Sequence, residues 1–496
     1  MANAKISELG AAAALSGAEK VPVVQGGANA AATPEQLRTF ARFVRPVNLI
    51  VDGDSKGVQV GNMSHASALF WALARTGRIA NFNPATDSLA VGSTVSGTNG
   101  GAVTGLISAG RLNSMIARVQ AVAATGADPV IILKIGANDV GLTAPETVLA
   151  NVRRYWETAR AAGAVRLLLM SVDPRVATAG AAPALSSAVA RAGHAINAAY
   201  RAYAAASPDI IMVDSHNALT DPTNDLFYPI GGVSAAGFAS MLDGLHESQY
   251  GAWLQSKALG DALRLVGRPL PAISGAMING VTGWSATEPR GNVLGNEARF
   301  GGTGGTSGNV ALTGGGGVTG IDQFPAAKLF GAYPNLGGTL SGTLAVAISS
   351  VAYQPMADQD RPDHKATRLT FTGTPSANGS LAIAAVAQKP SGWDYTIPLD
   401  WDADLYCNAL TGCAGLSLVL SAGGSGLTIG GNDATLLPAL TGRLIPHRPA
   451  PSVASADPAN ITLELRINWR AGMAMSGSID LFGMGISQAR PIPVAS

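Results

Sequence analysis

Histidine and cysteine are scarce, with six and two in 496 residues. Zinc sites draw on Cys and His at short, recurring spacings. No such cluster is present, so no metal is expected. The two cysteines, Cys407 and Cys413 in "CNALTGC", are too few for a disulfide scaffold. They can close one small loop or stay as thiols, and the sequence leaves both open. Charge is low too: 13% of residues are charged and the formal net charge is +1. A nucleic-acid binder would show a basic face, so no nucleic acid is expected. No apolar run is long enough to span a bilayer, which excludes insertion by a membrane helix. The opening "MANAKISELGAAAALSGAEK" interrupts its Ala-rich stretch with Ser and Glu, so no conventional secretion signal is expected.

What is present divides into three stretches. Residues 1–45 are Ala-rich and poor in bulky side chains. Here "VPVVQGG" reads as a short strand ending in a turn, and "TPEQLRTFARF" as a short helix capped by Thr33 with Pro34 at its first position. So small a segment cannot hold a core alone. Residues 46–265 alternate apolar runs ("NLIV", "PVIILKI", "VRLLLMSV", "DIIMVD") with helical patterns. Thr143 and Glu146 stand at capping-box spacing before one of these helices. Another helix is expected in "SSAVARAGHAINAAYRAYAAAS". Such alternation predicts an α/β fold, a parallel sheet covered on both faces, with ligands at the carboxyl ends of the strands.

Residues 266–496 are richer in Gly, Thr and Ser. "GGTGGTSGNVALTGGGG" reads as a flexible loop or a run of tight turns. Strand-like segments follow, among them "TLAVAISSVAY", "ATRLTFTG", "LAIAAVAQ", "LSLVLSA", "ITLELRINW" and "SIDLFGMGI". In "ITLELRI", Ile461, Leu463, Leu465 and Ile467 alternate with Thr462, Glu464 and Arg466, the pattern of a half-buried strand. The region therefore reads as an all-β sandwich-like domain.

Chemistry concentrates at three places in the middle stretch. "NLIVDGDSKG" breaks from an apolar run into Asp52, Gly53, Asp54 and Ser55, at a strand's carboxyl end. "KIGAND" ends another strand at Asn138 and Asp139. "MLDGLHESQYGAWL" places Asp243 three residues before His246, about one helical turn. Asp243 can then orient the imidazole, and His246 can take the proton that a serine hydroxyl must lose to become nucleophilic. Attack on an ester also needs oxyanion donors. Asn138, the backbone N–H of Ser55, and a glycine in "SLAVGSTVSG" (Gly92 first, Gly97 second) are the candidates.

G-D-S after the first strand, a glycine in a polar loop, G-x-N-D and D-x-x-H, in that order, resemble the SGNH (GDSL) hydrolase family. The resemblance covers about 215 residues, Asn48 to Leu259. It implies a flavodoxin-like three-layer α/β fold and ester hydrolysis, with Ser55 as nucleophile, His246 as base and Asp243 orienting it. It also implies an oxyanion hole of Ser55, Gly92 and Asn138, and no cofactor. Lys56 departs from the pattern, since an apolar residue usually follows the serine, and the glycine loop is not a clean match.

Other polar residues have plainer readings. Asp54 and Asp139 are expected to hold their loops, and His65 and His194 sit in helical patterns as surface or packing residues. "VDSHNAL" supplies all three triad types in Asp214, Ser215 and His216, but adjacent extended residues point to opposite faces. Trp284, Trp393, Tyr395 and Trp401 can stack on sugars, with core or interface roles the favoured alternative.

The N-terminal "KISEL", "GAEKVPVVQGG" and "TPEQL" resemble the short N-terminal modules of bacteriophage tail fibre and tailspike proteins. That resemblance covers about 35 residues. It implies attachment to phage tail or baseplate proteins, a homotrimer, and a virion protein acting at the host surface after release by lysis. The expected substrate is then a bacterial capsular polysaccharide or O-antigen carrying O-acetyl or similar groups. A glycan-binding tail protein without catalysis, and a bacterial lipase or esterase unrelated to phage, are the alternatives.

Overall fold

The apolar runs become strands where Val, Ile and Leu dominate and can be buried on both faces of a parallel sheet. A computed structural model describes residues 21–25, 28–32 and 46–488, apart from 85, 90–102, 175, 177–185, 225–227, 235–236, 268–291, 295–299, 327–333, 358–364, 390, 395, 398, 423–424, 433 and 453–458. The helix expected at Thr33 lies outside the described residues. Met1–Pro46 and Val47–Ser496 are two separate units. In the first, β1 (Val21–Gln25) pairs antiparallel with β2 (Ala28–Ala32).

The second unit opens with β3 (Val47–Gly53), followed directly by the short helix α1 (Ser55–Gly61) and by α2 (Ala68–Thr76). Then come α3 (Ala109–Ala124), β4 (Asp128–Lys134), α4 (Pro145–Ala161) and β5 (Arg166–Met170). The series closes with α5 (Ser187–Ala205), β6 (Ile210–Val213), α6 (Ser215–Leu219) and α7 (Gln249–Arg264). The strands form a parallel sheet in the order β3-β4-β5-β6. Beyond β3, parallel bridges from Asn48 to Asn81 and Val51 to Ser88 extend the sheet by an irregular fifth segment.

Alternate strand residues face opposite layers. Ile50, Ile131, Leu133, Leu167 and Leu169 pack on Val119, Trp156 and Ile196 of the helices on one face. Leu49, Val51, Val130, Ile132 and Leu168 pack on Phe70, Trp71, Leu259 and Leu263 on the other. This is the three-layer α/β fold. The capping box is absent, however. Ala144 is the N-cap of α4, and the Thr143 hydroxyl instead donates to Asp139 Oδ1 at 3.1 Å, because Pro145 fixes the first turn without a side-chain cap.

The C-terminal region is a β-sandwich. One sheet holds β8 (Gly317–Thr319), β10 (Ala345–Ala352), β11 (Lys365–Gly373), β13 (Leu399–Thr411), β16 (Leu440–Leu444), β17 (His447–Ser452) and β19 (Met475–Gln488). The other holds β7 (Val310–Gly314), β9 (Asn335–Leu340), β12 (Gly379–Gln388), β14 (Cys413–Ala422), β15 (Ser425–Gly430) and β18 (Asn460–Trp469). In β18, Ile461, Leu463, Leu465 and Ile467 are buried, as their alternation requires. The Gly-rich stretch is not all loop or turn, since β7 lies within it and pairs in parallel with β9 beyond it. Trp393 and Trp401 are core residues, 4% and 0% exposed; Trp284 and Tyr395 lie outside the described residues. Cys407 and Cys413 are free, buried thiols.

The sandwich core continues into the helical layer through Phe70 and Trp71. Backbone bonds cross the same boundary: Gly430 N–H to Met63 O at 2.8 Å, Ile445 N–H to Ala74 O at 2.6 Å and Leu436 N–H to Gly237 O at 2.6 Å. No helix among the described residues is long and apolar enough to cross a membrane.

Candidate active site

The site lies at the carboxyl ends of β3 and β4. Gly53 ends β3 with φ +144°, and a Cβ there would stand 1.9 Å from the Lys134 carbonyl oxygen. Only glycine allows the chain to turn so close to β4. Asp54 then caps α1, its Oδ1 accepting from Lys56 N–H at 2.9 Å. That confirms a loop-holding role for Asp54 and puts Ser55 at the first helical position. Asp139 likewise holds its loop: its backbone carbonyl accepts from Leu142 and Thr143 N–H, both at 2.9 Å.

Asp243 and His246 come together by a turn rather than the helical turn their spacing suggests. Asp243 Oδ1 accepts from Leu245 N–H at 2.8 Å and His246 N–H at 2.7 Å, and Gly244 takes φ +81°. Helix α7 begins only at Gln249. This turn aims the imidazole at Ser55. His246 Nδ1 lies 2.9 Å from Asp243 Oδ2, and Nε2 lies 3.1 Å from Ser55 Oγ. Burial pushes the Asp243 carboxyl up, but the His246 ring and the two backbone N–H groups pull it further down, below the usual carboxylate range. An ionised carboxylate only accepts, so Nδ1 carries the proton and Nε2 is left to accept from the Ser55 hydroxyl. A hydroxyl, imidazole and carboxylate so connected can generate a nucleophile at neutral pH.

Asn138 sits half-buried in the loop after β4, at the strand end neighbouring that of Ser55. Gly92 and Gly97 lie outside the described residues. The second Ser/His/Asp set does not converge. Asp214 takes two bonds from Arg201, Ser215 donates to Asp173 at 3.1 Å, and His216 Nδ1 lies 3.0 Å from Val172 O. His194 packs edge-on against the His216 ring, and His65 belongs to the turn before α2 rather than to a helix. Among the described residues, no group of three or more His, Cys, Asp or Glu is arranged to hold a metal ion.

Sequence reasoning missed a buried charge cluster beneath the site. Lys134 Nζ lies 2.5 Å from Asp173 and 3.1 Å from Glu247, and donates to Gln255 Oε1 at 2.9 Å. Lys56 Nζ lies 3.2 Å from Glu247 and 3.6 Å from Asp173. Burial pushes Glu247 up, yet Lys134 and then Lys56 hold it well below its ordinary value. Burial also raises Asp173, to about 6, with Lys134 opposing. Lys56, the departure from the family pattern, is thus a paired interior charge. The signal that was available is Lys134, a lone charge in the apolar strand "PVIILKI".

Residues 67–254 match the GDSL-like Lipase/Acylhydrolase family. The matched stretch includes Asn138, Asp243 and His246 and begins C-terminal of Ser55. The chain therefore carries a GDSL/SGNH acylhydrolase domain, followed by the β-sandwich. Similar solved structures include TesA, at 19% identity over 44% of this chain and 99% of that one, TM-score 0.28. A carbohydrate esterase family 3 structure from Talaromyces cellulolyticus matches at 13% identity over 44% and 98%, TM-score 0.28. The family 11 carbohydrate-binding module of a Clostridium thermocellum cellulase matches at 11% identity over 32% and 91%, TM-score 0.19. No curated protein matches the chain.

Proposed function

We propose that this protein is a phage tail serine esterase that removes O-acetyl or similar acyl groups from a bacterial surface polysaccharide. The observation that carries the esterase reading is the unbroken hydrogen-bond chain from Ser55 through His246 to Asp243. Ser55 Oγ attacks the ester carbonyl while its proton passes to His246 Nε2. The resulting oxyanion is met by the Ser55 N–H, the Asn138 side chain and, on the family resemblance, the Gly92 N–H. His246 then protonates the departing sugar hydroxyl, leaving an acyl-Ser55 ester. Water, deprotonated by His246, attacks that ester, releases the carboxylic acid and restores Ser55. Asp243 keeps the ring in the working tautomer throughout, and no cofactor enters any step.

An open site supports a polymeric substrate. The Asp243 side chain is 54% exposed and that of His246 29%, so both stand where a substituent on a long chain can meet them. The N-terminal resemblance supports attachment to tail or baseplate proteins as a homotrimer, at the virion and against the host surface. Acetate release from a panel of O-acetylated capsules and O-antigens, by wild type and Ser55→Ala, tests the reading. Release by wild type alone is the expected result. Equal binding of one glycan by both proteins with no release would favour a non-catalytic receptor binder. A monomer in sedimentation would count against the tail assignment.

A further inference from the structure

We propose that Lys56, Gln59 and Glu247 form a latch that sets the distance between Ser55 and His246, which makes all three positioning residues. The proposal rests on the esterase reading of that pair. Ser55 and His246 come from segments 191 residues apart and are joined directly by one hydrogen bond of 3.1 Å. Each is followed in sequence by a latch residue. Lys56, next to Ser55, donates from Nζ to Glu247 Oε1 at 3.2 Å. Glu247, next to His246, is also gripped through its backbone: Gln59 Nε2 donates to Glu247 O at 2.5 Å. Lys56 and Gln59 stand one turn apart on α1, so the nucleophile's helix holds residue 247 by side chain and main chain together.

The far side of the latch is anchored. Glu247 Oε1 also accepts from Lys134 at 3.1 Å and Gln255 at 3.3 Å, which ties it to β4 and α7. Lys56 and Glu247 are 3% and 2% exposed, so water does not compete for these bonds. A buried ion pair is a poor stabiliser, and apolar residues of similar volume often hold a fold as well. What apolar contact lacks is direction. The tie from Lys56 and Gln59 fixes where residue 247 stands, and with it the ring one residue earlier.

The test compares wild type, Gln59→Met, Lys56→Met and the apolar double variant Lys56→Met/Glu247→Met. Four quantities are read: kcat and KM on an aryl acetate, the 15N shift of His246 Nε2, and the melting temperature. The 15N shift in Ser55→Ala marks the value without the Ser55 hydrogen bond. The latch variants are expected to lose about 10- to 100-fold in kcat with KM unchanged. Their Nε2 shift should move toward the Ser55→Ala value. The double variant should do both while melting near wild type, which separates positioning from folding. Full kcat and a wild-type Nε2 shift in a folded double variant would overturn the latch. Wild type inert on the aryl acetate would sink the esterase reading alone, since the Nε2 shift still reports the latch.

Discussion

The side-chain amide of Gln249 donates to the backbone carbonyl of Ala414 at 2.9 Å. Gln249 opens the helix that follows His246, and Ala414 lies in β14 of the sandwich. With the Leu436 to Gly237 bond, this fastens both flanks of the Asp243–His246 turn to the C-terminal region. A chain ending at Gly267 is therefore expected to lose activity and to expose the Phe70 and Trp71 layer. Dye binding to exposed apolar surface and aryl acetate turnover check this. A soluble, fully active truncated protein would contradict it.

Removing the nucleophile should cost most. Ser55→Ala and His246→Ala are each expected to lower kcat/KM on an aryl acetate by about 10³-fold or more. Asp243→Asn should cost less, about 10- to 100-fold, because an exposed carboxylate acts through high-dielectric surroundings. Steady-state kinetics on the three variants decide the ranking.

Asp54 should make stability pH-dependent. Its carboxyl is buried, Oδ2 has no hydrogen-bond partner among the described residues, and burial pushes it up to about 6 against the pull of Lys56. The unfolded group titrates at about 3.9. Between those values the native state holds a proton that the unfolded chain has released, so this group's contribution falls as pH rises, with its full cost present above about pH 6. Asparagine keeps the capping oxygen without the charge. Asp54→Asn is expected to gain about 1–3 kcal/mol at pH 8 and little at pH 4. Denaturation at the two pH values checks it, and an equal gain at both would refute the burial argument.

Gly53 should tolerate no side chain. With a Cβ placed 1.9 Å from the Lys134 oxygen, Gly53→Ala must push β3 from β4 or move α1. A loss of about 3 kcal/mol or more is expected in urea unfolding.

Trp401 is wholly buried in the sandwich core. Trp401→Ala should cost about 3–5 kcal/mol through the cavity it leaves. Glycan affinity of the protein that remains folded should be unchanged, which a binding titration at low temperature will show.

The catalytic candidates were legible because each carries its own local mark: G-D-S and G-x-N-D at two strand ends, and D-x-x-H in the turn before the last helix of the α/β layer. The parallel sheet was legible from short runs dominated by Val, Ile and Leu, with Lys134 the one charge in "PVIILKI". Strand β13 was not marked in advance. Leu399, Trp401, Ala403 and Leu405 do alternate, but Asp400, Asp402 and Asp404 fall between them, and aspartate is depleted in strands. Arg78 and Arg443 supply the compensating charge to Asp400 and Asp404 from distant segments, which no local pattern reveals. The cluster around Glu247 was hidden for the same reason. Lys56 and Glu247 are 191 residues apart, and each alone reads as a surface charge.

The two buried thiols have a practical consequence. Burial pushes Cys413 up to about 12 and also holds Cys407 well above the ordinary thiol value, so neither presents a thiolate to reagents in neutral solution. A cysteine introduced on the surface, at exposed Leu142 or Phe238 for example, would then be the single reactive handle. A fluorophore attached there gives a reporter for glycan engagement without first stripping the native cysteines from the core.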